Sequence, residues 1–568
     1  MSAPGASAAG AGAGVAHVRG EASSPAVTAA DTAAGGGGWI ERQPPAWTIT
    51  AALAVVYLVL APSSPDLAAA SYRSWLFAQH GLLLWDNSWY GGHHLLAYSL
   101  LAPPLGALIG PRLVAAASMT LATFLFTALI DGLFPPRAVR IASVWFAIGA
   151  SIGLLSSRVP FDLGLAIGLG ALLATRRERP WGALTLALLC SLASPVAGAF
   201  LALAYVALCL AGPARAWPAA LAVAALAPIV ALAVVFPEGG SQPFVASAFY
   251  PALLGVAVIA LLIPREQRAL RIGAWLYAGA LIASYVLSTA VGGNADRLGS
   301  LLAGPIAACA LLGAAASARD GARRRTVLLV LAPFLLYWQA NAPVADFAAS
   351  SSDPAVKESY YAPLLGELRA LDVGYGGRPV RLEVVPTVDH WEARWVAPHA
   401  MIARGWERQL DRYRNGLFYA SAPVTAAAYR DWLARTAVAY VALPDAPLDY
   451  SAHSEARLLR SGALGDVREI WHSRHWRLYA VLGARALAEP PALLERTGVD
   501  SFEIYAPRAG AYTVRVRFTP YWKLAGAGGC VARAGEDWTQ IRVRRPGRAR
   551  VVIDFSPARV FSDGARCN

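Results

Sequence analysis

Lysine is almost missing from this chain: of 49 basic residues only Lys357 and Lys523 are lysines, a bias from which no mechanism follows. Charge of either sign is scarce. Charged residues make up 15% of the sequence, against roughly 25% in an ordinary soluble protein, while 56% of residues are hydrophobic. With a mean hydropathy of +0.44 this excludes a fully soluble globule. No Cys-x-x-Cys or His-x-x-x-His spacing occurs, so a divalent metal is compatible with the sequence but not indicated by it, and the cofactor stays open. Walker and dinucleotide fingerprints are missing too, which disfavours an ATP-driven pump. Residues 1–46 are Ala, Gly and Ser with few apolar side chains and lack the layout of a secretory signal; they are expected to form a disordered cytoplasmic tail. The net charge of +13 is spread along the chain, with 19 basic against 12 acidic residues up to position 340 and 30 against 24 after it. No concentrated basic patch results, and nucleic acid is not an expected partner.

What is present is a long apolar series. A length of 568 residues suggests three to four domains at roughly 150 residues each. From Trp47 to Ala340, apolar stretches alternate with short loops rich in Arg, Pro and Gly, as in a polytopic α-helical membrane domain embedded in a lipid bilayer. Expected spans are 47–62, 113–130, 138–156, 163–174, 182–194, 195–211, 217–236, 248–263, 272–290, 300–316 and 326–340, about 11 crossings. With that number, fourteen loop arginines (Arg42, Arg137, Arg140, Arg176, Arg177, Arg179, Arg215, Arg265, Arg268, Arg271, Arg319, Arg323, Arg324 and Arg325) fall on one side. Only Arg73, Arg112, Arg158 and Arg297 fall on the other, which puts the N-terminus in the cytoplasm and the C-terminal region outside. Segment 95–111 then has to be re-entrant or interfacial, since a further crossing would invert every later loop. Residues 341–485 alternate helix and strand patterns and are expected to form an extracytoplasmic α/β unit. Residues 486–568 read as a C-terminal β-sandwich. Cys530 and Cys567, the two cysteines of that polar region, suggest one disulfide and an oxidising compartment.

The chemistry-bearing residues concentrate in the first outside loop. Asp66 lies four residues past the first expected span, where a carboxylate would sit at the membrane interface and could take a proton from an attacking hydroxyl; it is equally placed to cap a helix starting near Leu67. Asp86 has a similar ambiguity, because Asp-Asn-Ser before aromatic-Gly-Gly is also turn chemistry. Arg158 and Asp162, four apart, either serve a phosphate site or neutralise each other. Asn294 and Arg297, among glycines, suit phosphate binding, or Arg297 simply snorkels. His93 and His94, with His80 nearby, were they on one helix, would point about 100° apart and so would rarely share an ion. The aromatic, acidic and arginine-rich stretch from Asp389 to Tyr419 suits either a carbohydrate surface or a packed edge.

An Asp just after the first helix, an amphipathic stretch with Tyr72 and Arg73, then Gly81, WDNSWYGG (85–92) and APPL (102–105), resembles the first loop of the GT-C superfamily of integral-membrane glycosyltransferases. Bacterial multi-pass members look most similar. The resemblance implies a GT-C-like fold in a bacterial plasma membrane and an inverting glycosyltransferase using a polyprenyl-phosphate-linked sugar donor. Its acceptor would be an extracytoplasmic envelope glycan, lipid or protein. It makes Asp66 the catalytic carboxylate and Asp86 a second candidate. Arg297 would bind the donor phosphate, with Arg73, His93, Arg158, Asp162 and Asn294 as further substrate-binding candidates. The rival readings are a transporter or lipid flippase, and a non-catalytic envelope scaffold.

Overall fold

Among the described residues, thirteen α-helices occupy the N-terminal part: α1 (Ala46–Leu60), α2 (Pro65–His80), α3 (Ala102–Ile109), α4 (Pro111–Ile130), α5 (Pro136–Gly153), α6 (Val159–Arg176), α7 (Pro180–Ala193), α8 (Pro195–Ala211), α9 (Ala216–Val235), α10 (Ala246–Leu262), α11 (Arg268–Val286), α12 (Asp296–Leu312) and α13 (Ala318–Ser351). They belong to a computed structural model that describes residues 44–213, 216–313, 318–526, 528–535, 537–562 and 564–567. Most of the expected tail, Arg42 and Arg215 lie outside those residues. Helices α2 to α8 each carry proline at the first or second position. Proline there presets φ and removes an N–H that would have no intrahelical partner, a useful economy in apolar surroundings.

All eleven expected spans are helices, but the number of crossings is not eleven by length and composition. Seven helices are long and apolar enough to cross a bilayer, and the pair α1 and α2, bent by 78°, would make an eighth. Helices α7, α8 and α10, of 14, 17 and 17 residues, fall short of the roughly 20 residues a crossing takes. Segment 95–111 contains only the eight-residue α3, about 12 Å long, and cannot cross. The last helix, α13, runs to Ser351, past the change in composition near residue 340.

Beyond it, α14 (Glu358–Ala370), α15 (Glu392–Trp395), α16 (Arg408–Arg414), α17 (Ala426–Thr436) and α18 (His453–Ser461) surround a five-stranded mixed sheet. Its strands are β3 (Arg381–Val384), β4 (Met401–Ile402), β5 (Val438–Pro444), β6 (Val467–His472) and β7 (Trp476–Val481), in the order β4-β3-β5-β7-β6. Before them in the chain, β1 (Trp85–Asp86) and β2 (His93–His94) pair as a small antiparallel ladder within the first loop. The C-terminal part has two four-stranded antiparallel sheets. One contains β8 (Leu493–Thr497), β9 (Ser501–Ala506), β11 (Trp522–Ala525) and β14 (Gly547–Ile553). The other contains β10 (Gly510–Arg517), β12 (Gly529–Ala534), β13 (Trp538–Val543) and β15 (Arg566–Cys567). Alternating residues of both sheets, among them Phe502, Ile504, Val514, Ile541 and Val551, share one core. Cys530 and Cys567 face each other across β12 and β15 and form a disulfide.

Segment 85–92 joins these parts. Trp85, 1% exposed, is inserted into the sandwich core beside Trp522, with ring centroids 5.7 Å apart. The Ser88 carbonyl accepts from Ile402 N at 2.8 Å, and the Gly91 carbonyl accepts from Arg517 N at 2.8 Å. Pro45–Asn568 consequently packs as one unit. Gly92 adopts φ +128°, and a Cβ there would overlap the Trp85 indole, whereas a Cβ at Gly81, φ +71°, meets nothing within 4 Å. Gly92→Ala is therefore expected to cost about 2–5 kcal/mol from backbone strain plus overpacking. Gly81→Ala should cost only the strain of φ +71°, ψ −150°, about 1–3 kcal/mol. Thermal unfolding of the two variants side by side checks the order.

Candidate functional site

Asp66 occupies the first turn of α2, and its surroundings decide between the two roles open to it. The helix begins one residue earlier than Asp66, at Pro65, and its cap is Ser64, whose hydroxyl accepts from Leu67 N at 3.3 Å. Capping therefore does not occupy Asp66. Its Oδ2 lies 3.5 Å from Arg158 Nε and 3.8 Å from an Arg297 terminal nitrogen. Arg158 sits at the start of α6 and Arg297 in the first turn of α12, so the N-termini of three helices converge on one spot. Backbone N–H groups at such ends carry partial positive charge, which adds to the two guanidinium groups and makes the spot attractive to an anion.

Asp346, on α13, closes the cluster: its Oδ2 accepts from Ser156 Oγ at 2.5 Å and lies 3.9 Å from Arg158. Arg158 thus pairs with Asp66 and Asp346, not with Asp162, which corrects the self-neutralising pair that their spacing allowed. Asp162 is 1% exposed, and its Oδ2 has no hydrogen-bond partner among the described residues. Both guanidinium groups and Asp66 lie within its electrostatic reach. The Arg158 Nε, also buried, donates no hydrogen bond among the described residues. Arg297 lies over the Phe161 ring at 5.6 Å instead of extending freely towards solvent. At 33% exposure for Asp66, 24% for Arg158 and 17% for Arg297, the cluster is sheltered yet reachable.

The other candidates lie elsewhere. Asp86 is fully buried, with one oxygen accepting from the Tyr72 hydroxyl at 2.9 Å and the other from Ser88 N at 2.8 Å, so its lone pairs hold the turn together. Arg73 is 5% exposed and paired with Glu407, its guanidinium 4.4 Å from the Tyr98 ring. His93 and His94 are on a strand, not a helix, so they point to opposite faces. The His93 ring stacks on Trp89 at 5.5 Å, and His94 pairs with Glu238 at 2.9 Å, so the two cannot share an ion. Burial pushes the Glu238 carboxyl up, but the hydrogen bond and charge of His94 outweigh it and hold it below the usual range. Asn294 sits in a single 3₁₀ turn before α12 and makes no side-chain hydrogen bond to the cluster. Among the described residues, no three His, Cys, Asp or Glu side chains are placed to hold a metal ion.

The α/β unit holds α2 in place. Trp406 Nε1 donates to the Pro65 carbonyl at 2.6 Å, next to Asp66, and Glu407 takes Arg73 about two turns further on. Trp406 is in turn stacked on His390, 3.7 Å between centroids, with Arg408 at 4.7 Å from its ring. Arg408 pairs with Asp449 at 2.7 Å, and His390 lies 3.3 Å from Asp449 and 3.2 Å from Glu392. Burial lowers the His390 pKa, but those two carboxylates raise it further than burial depresses it. The aromatic stretch around 390–410 is therefore largely a packed edge supporting the helix of Asp66. Asp346, Trp406 and Glu407 were not singled out for these roles from sequence. A lone acid in the apolar run PVADFAASS was a signal for Asp346; Trp406 and Glu407 belong to the aromatic stretch read as a carbohydrate surface or a packed edge, but nothing local tied them to α2.

No protein-family model matches the chain, and no curated protein matches it in sequence. Several solved glycosyltransferase structures are similar to it. They include the arabinofuranosyltransferase AftD from Mycobacteria, at TM-score 0.43 and 15% identity over 92% of this chain and 57% of that one. The archaeal oligosaccharyltransferase AglB from Archaeoglobus fulgidus, in complex with an inhibitory peptide and a dolichol-phosphate, gives TM-score 0.43 and 13% identity over 72% of this chain and 69% of that one. The apo form of the Archaeoglobus oligosaccharyltransferase gives 0.44. This chain spans less than three fifths of the length of the AftD chain. At these scores the functional argument rests on the site itself.

Two expectations test this geometry. Glu407→Gln leaves the Arg73 charge buried without a partner and should destabilise by about 3–5 kcal/mol, whereas replacing both residues with Leu or Met should cost much less; denaturant unfolding measures the difference. For His390, the folded pKa lies above the unfolded value of about 6.5. Its contribution is complete below about pH 6.5 and is lost as pH rises through the raised value. The melting temperature of His390→Gln should therefore fall less than that of the parent chain between about pH 6 and about pH 9, and equal falls would remove the charged pairings from the account.

Proposed function

We propose that the chain transfers a sugar from a polyprenyl-phosphate-linked donor to an acceptor hydroxyl or amide on the side of the membrane that carries the α/β unit and the sandwich. The observation that carries this reading is the convergence of Asp66, Arg158 and Arg297, from three separate helices, at one partly exposed point. A carboxylate beside two guanidinium groups and three helix N-termini supplies what displacement of a phosphate from a sugar carbon needs: a base for the incoming nucleophile and fixed positive charge for the departing phosphate.

In the reaction, Asp66 accepts the proton of the acceptor as the acceptor atom bonds to the anomeric carbon. The bond from that carbon to the phosphate oxygen breaks, and the electron pair leaves with the polyprenyl phosphate, held by Arg297 and Arg158. A single displacement inverts the configuration of the sugar carbon. The separations of 3.5 and 3.8 Å from Asp66 to the arginines exceed close charge-assisted contacts of about 2.7–2.9 Å. The guanidinium groups can therefore turn to an arriving phosphate and release the carboxylate.

Within this reading, the apolar helices span the plasma membrane of a bacterium with the N-terminus in the cytoplasm. The C-terminal units then lie outside, where the Cys530–Cys567 disulfide persists. Asp66→Asn keeps the size of the side chain and removes the base. With a panel of polyprenyl-phospho-sugars it should lower transfer by about 10²- to 10⁴-fold while donor binding survives. Arg297→Ala should weaken donor binding itself. Transfer at the parent rate by Asp66→Asn refutes the assignment.

A further inference from the structure

On the far side of α2 from Asp66 lies a cavity of about 360 Å³. Ser71 and Trp75, which line it, are about 140° and 180° around the helix from Asp66. Its other walls come from the α3–α4 corner, with Arg112, and from α15, with Trp391, Arg394 and Trp395. It is thus separate from the cluster above, and it sits where the membrane helices meet the α/β unit. Beside its rim, Leu108 is 79% exposed, with Ile109 and Leu113 at 46% and 42%, a surface suited to acyl chains.

Two arginines and a buried indole N–H, beside three serine hydroxyls, supply the polar groups on the walls of this cavity. The Trp391 indole, 4% exposed, keeps its N–H buried and without a hydrogen-bond partner among the described residues. Arg394 lies against the Trp75 and Trp395 rings at 5.6 and 4.5 Å. Its electrostatic neighbours are Glu358 and Tyr72, and it has no carboxylate within 4 Å among the described residues. Arg112 donates to the carbonyls of Ala61 and Pro62, at 3.0 and 3.1 Å, which hold it in place and leave its charge uncompensated. No carboxylate lines the cavity. Its volume is at the lower end of small-molecule sites, roughly 300–1,000 Å³, enough for a headgroup and not for a whole lipid.

We propose that this cavity binds the phosphate of an anionic membrane-lipid headgroup, with Arg394, Arg112 and the Trp391 N–H as its donors and the lipid chains lying along Leu108 and Leu113. With two guanidinium groups and, among the described residues, no carboxylate on its walls, the cavity carries net positive charge and favours a headgroup that is anionic overall. This site does not depend on the transferase reading and stands whether or not Asp66 is a base.

The purified full chain in an uncharged detergent is titrated with dihexanoyl-phosphatidylglycerol, dihexanoyl-phosphatidylcholine and inorganic phosphate. The readouts are the melting temperature and the number of lipids retained in native mass spectrometry. Saturable binding of the glycerol lipid, at least tenfold tighter than the choline lipid or free phosphate, is expected. Arg394→Gln and Trp391→Phe, the latter removing the N–H while keeping most of the ring, should each weaken it by tenfold or more. Asp66→Asn should leave it unchanged, which separates this site from the transfer site. Equal binding of both lipids, or undiminished binding in both variants, overturns the proposal. Free phosphate binding as tightly as the glycerol lipid overturns the lipid assignment in favour of a soluble anion.

Discussion

Trp85 lies inside the sandwich core, and its neighbour Asp86 is hydrogen-bonded to Tyr72 on the helix that carries Asp66. Within eight residues the first loop therefore connects the membrane helices to the last domain of the chain. The same eight residues bond to the α/β unit through Ser88 and Ile402. Burying an indole and completing these backbone bonds is favourable only when all three parts are present, since the polar backbone of an unpaired turn would otherwise be costly to enclose. The position of α2, and with it that of Asp66, depends on this joint.

A second constraint works from the other end of α2. Trp406 and Glu407 reach the helix at Pro65 and Arg73, and Trp406 itself stacks on His390 with Arg408 beside its ring. Buried charge of this kind is tolerated because each member has a partner: Arg408 with Asp449, His390 with Asp449 and Glu392. Asp66 lies on a helix of the apolar series, but that helix is held by side chains more than 300 residues away in sequence. That arrangement suits a site that has to stay rigid at a lipid–water boundary, where the exposed ends of helices would otherwise fray.

Much of the architecture was legible in the sequence because apolar run length and strand alternation are local properties. The series of apolar stretches became helices, the YTVRVRF and RARVVIDF patterns became sandwich strands, and the two polar-region cysteines became neighbours. The count of crossings was less secure, since α7, α8 and α10 are apolar enough but short, and length alone separates a crossing from a partial one. The histidine pair was misjudged locally: the glycines before it permit a tight turn and a two-residue strand, so the helical angle between them never applied.

For the candidate site, sequence alone determined which residues were chemically eligible. Asp66, Asp86, Arg73, Arg158, Asp162 and Arg297 are charges in or beside apolar segments, where charge is costly and has to be paired or used. Only the tertiary structure decided between those two fates. It moved the cap to Ser64 and left Asp66 to face Arg158 and Arg297, brought in Asp346 from α13, and enclosed Asp86 and Arg73 in structural contacts. The reason is physical: the pairing of a charge is set by what lies within about 4 Å of it, and the partners in this cluster come from helices as far apart in sequence as Asp66 and Arg297, a distance no local pattern encodes.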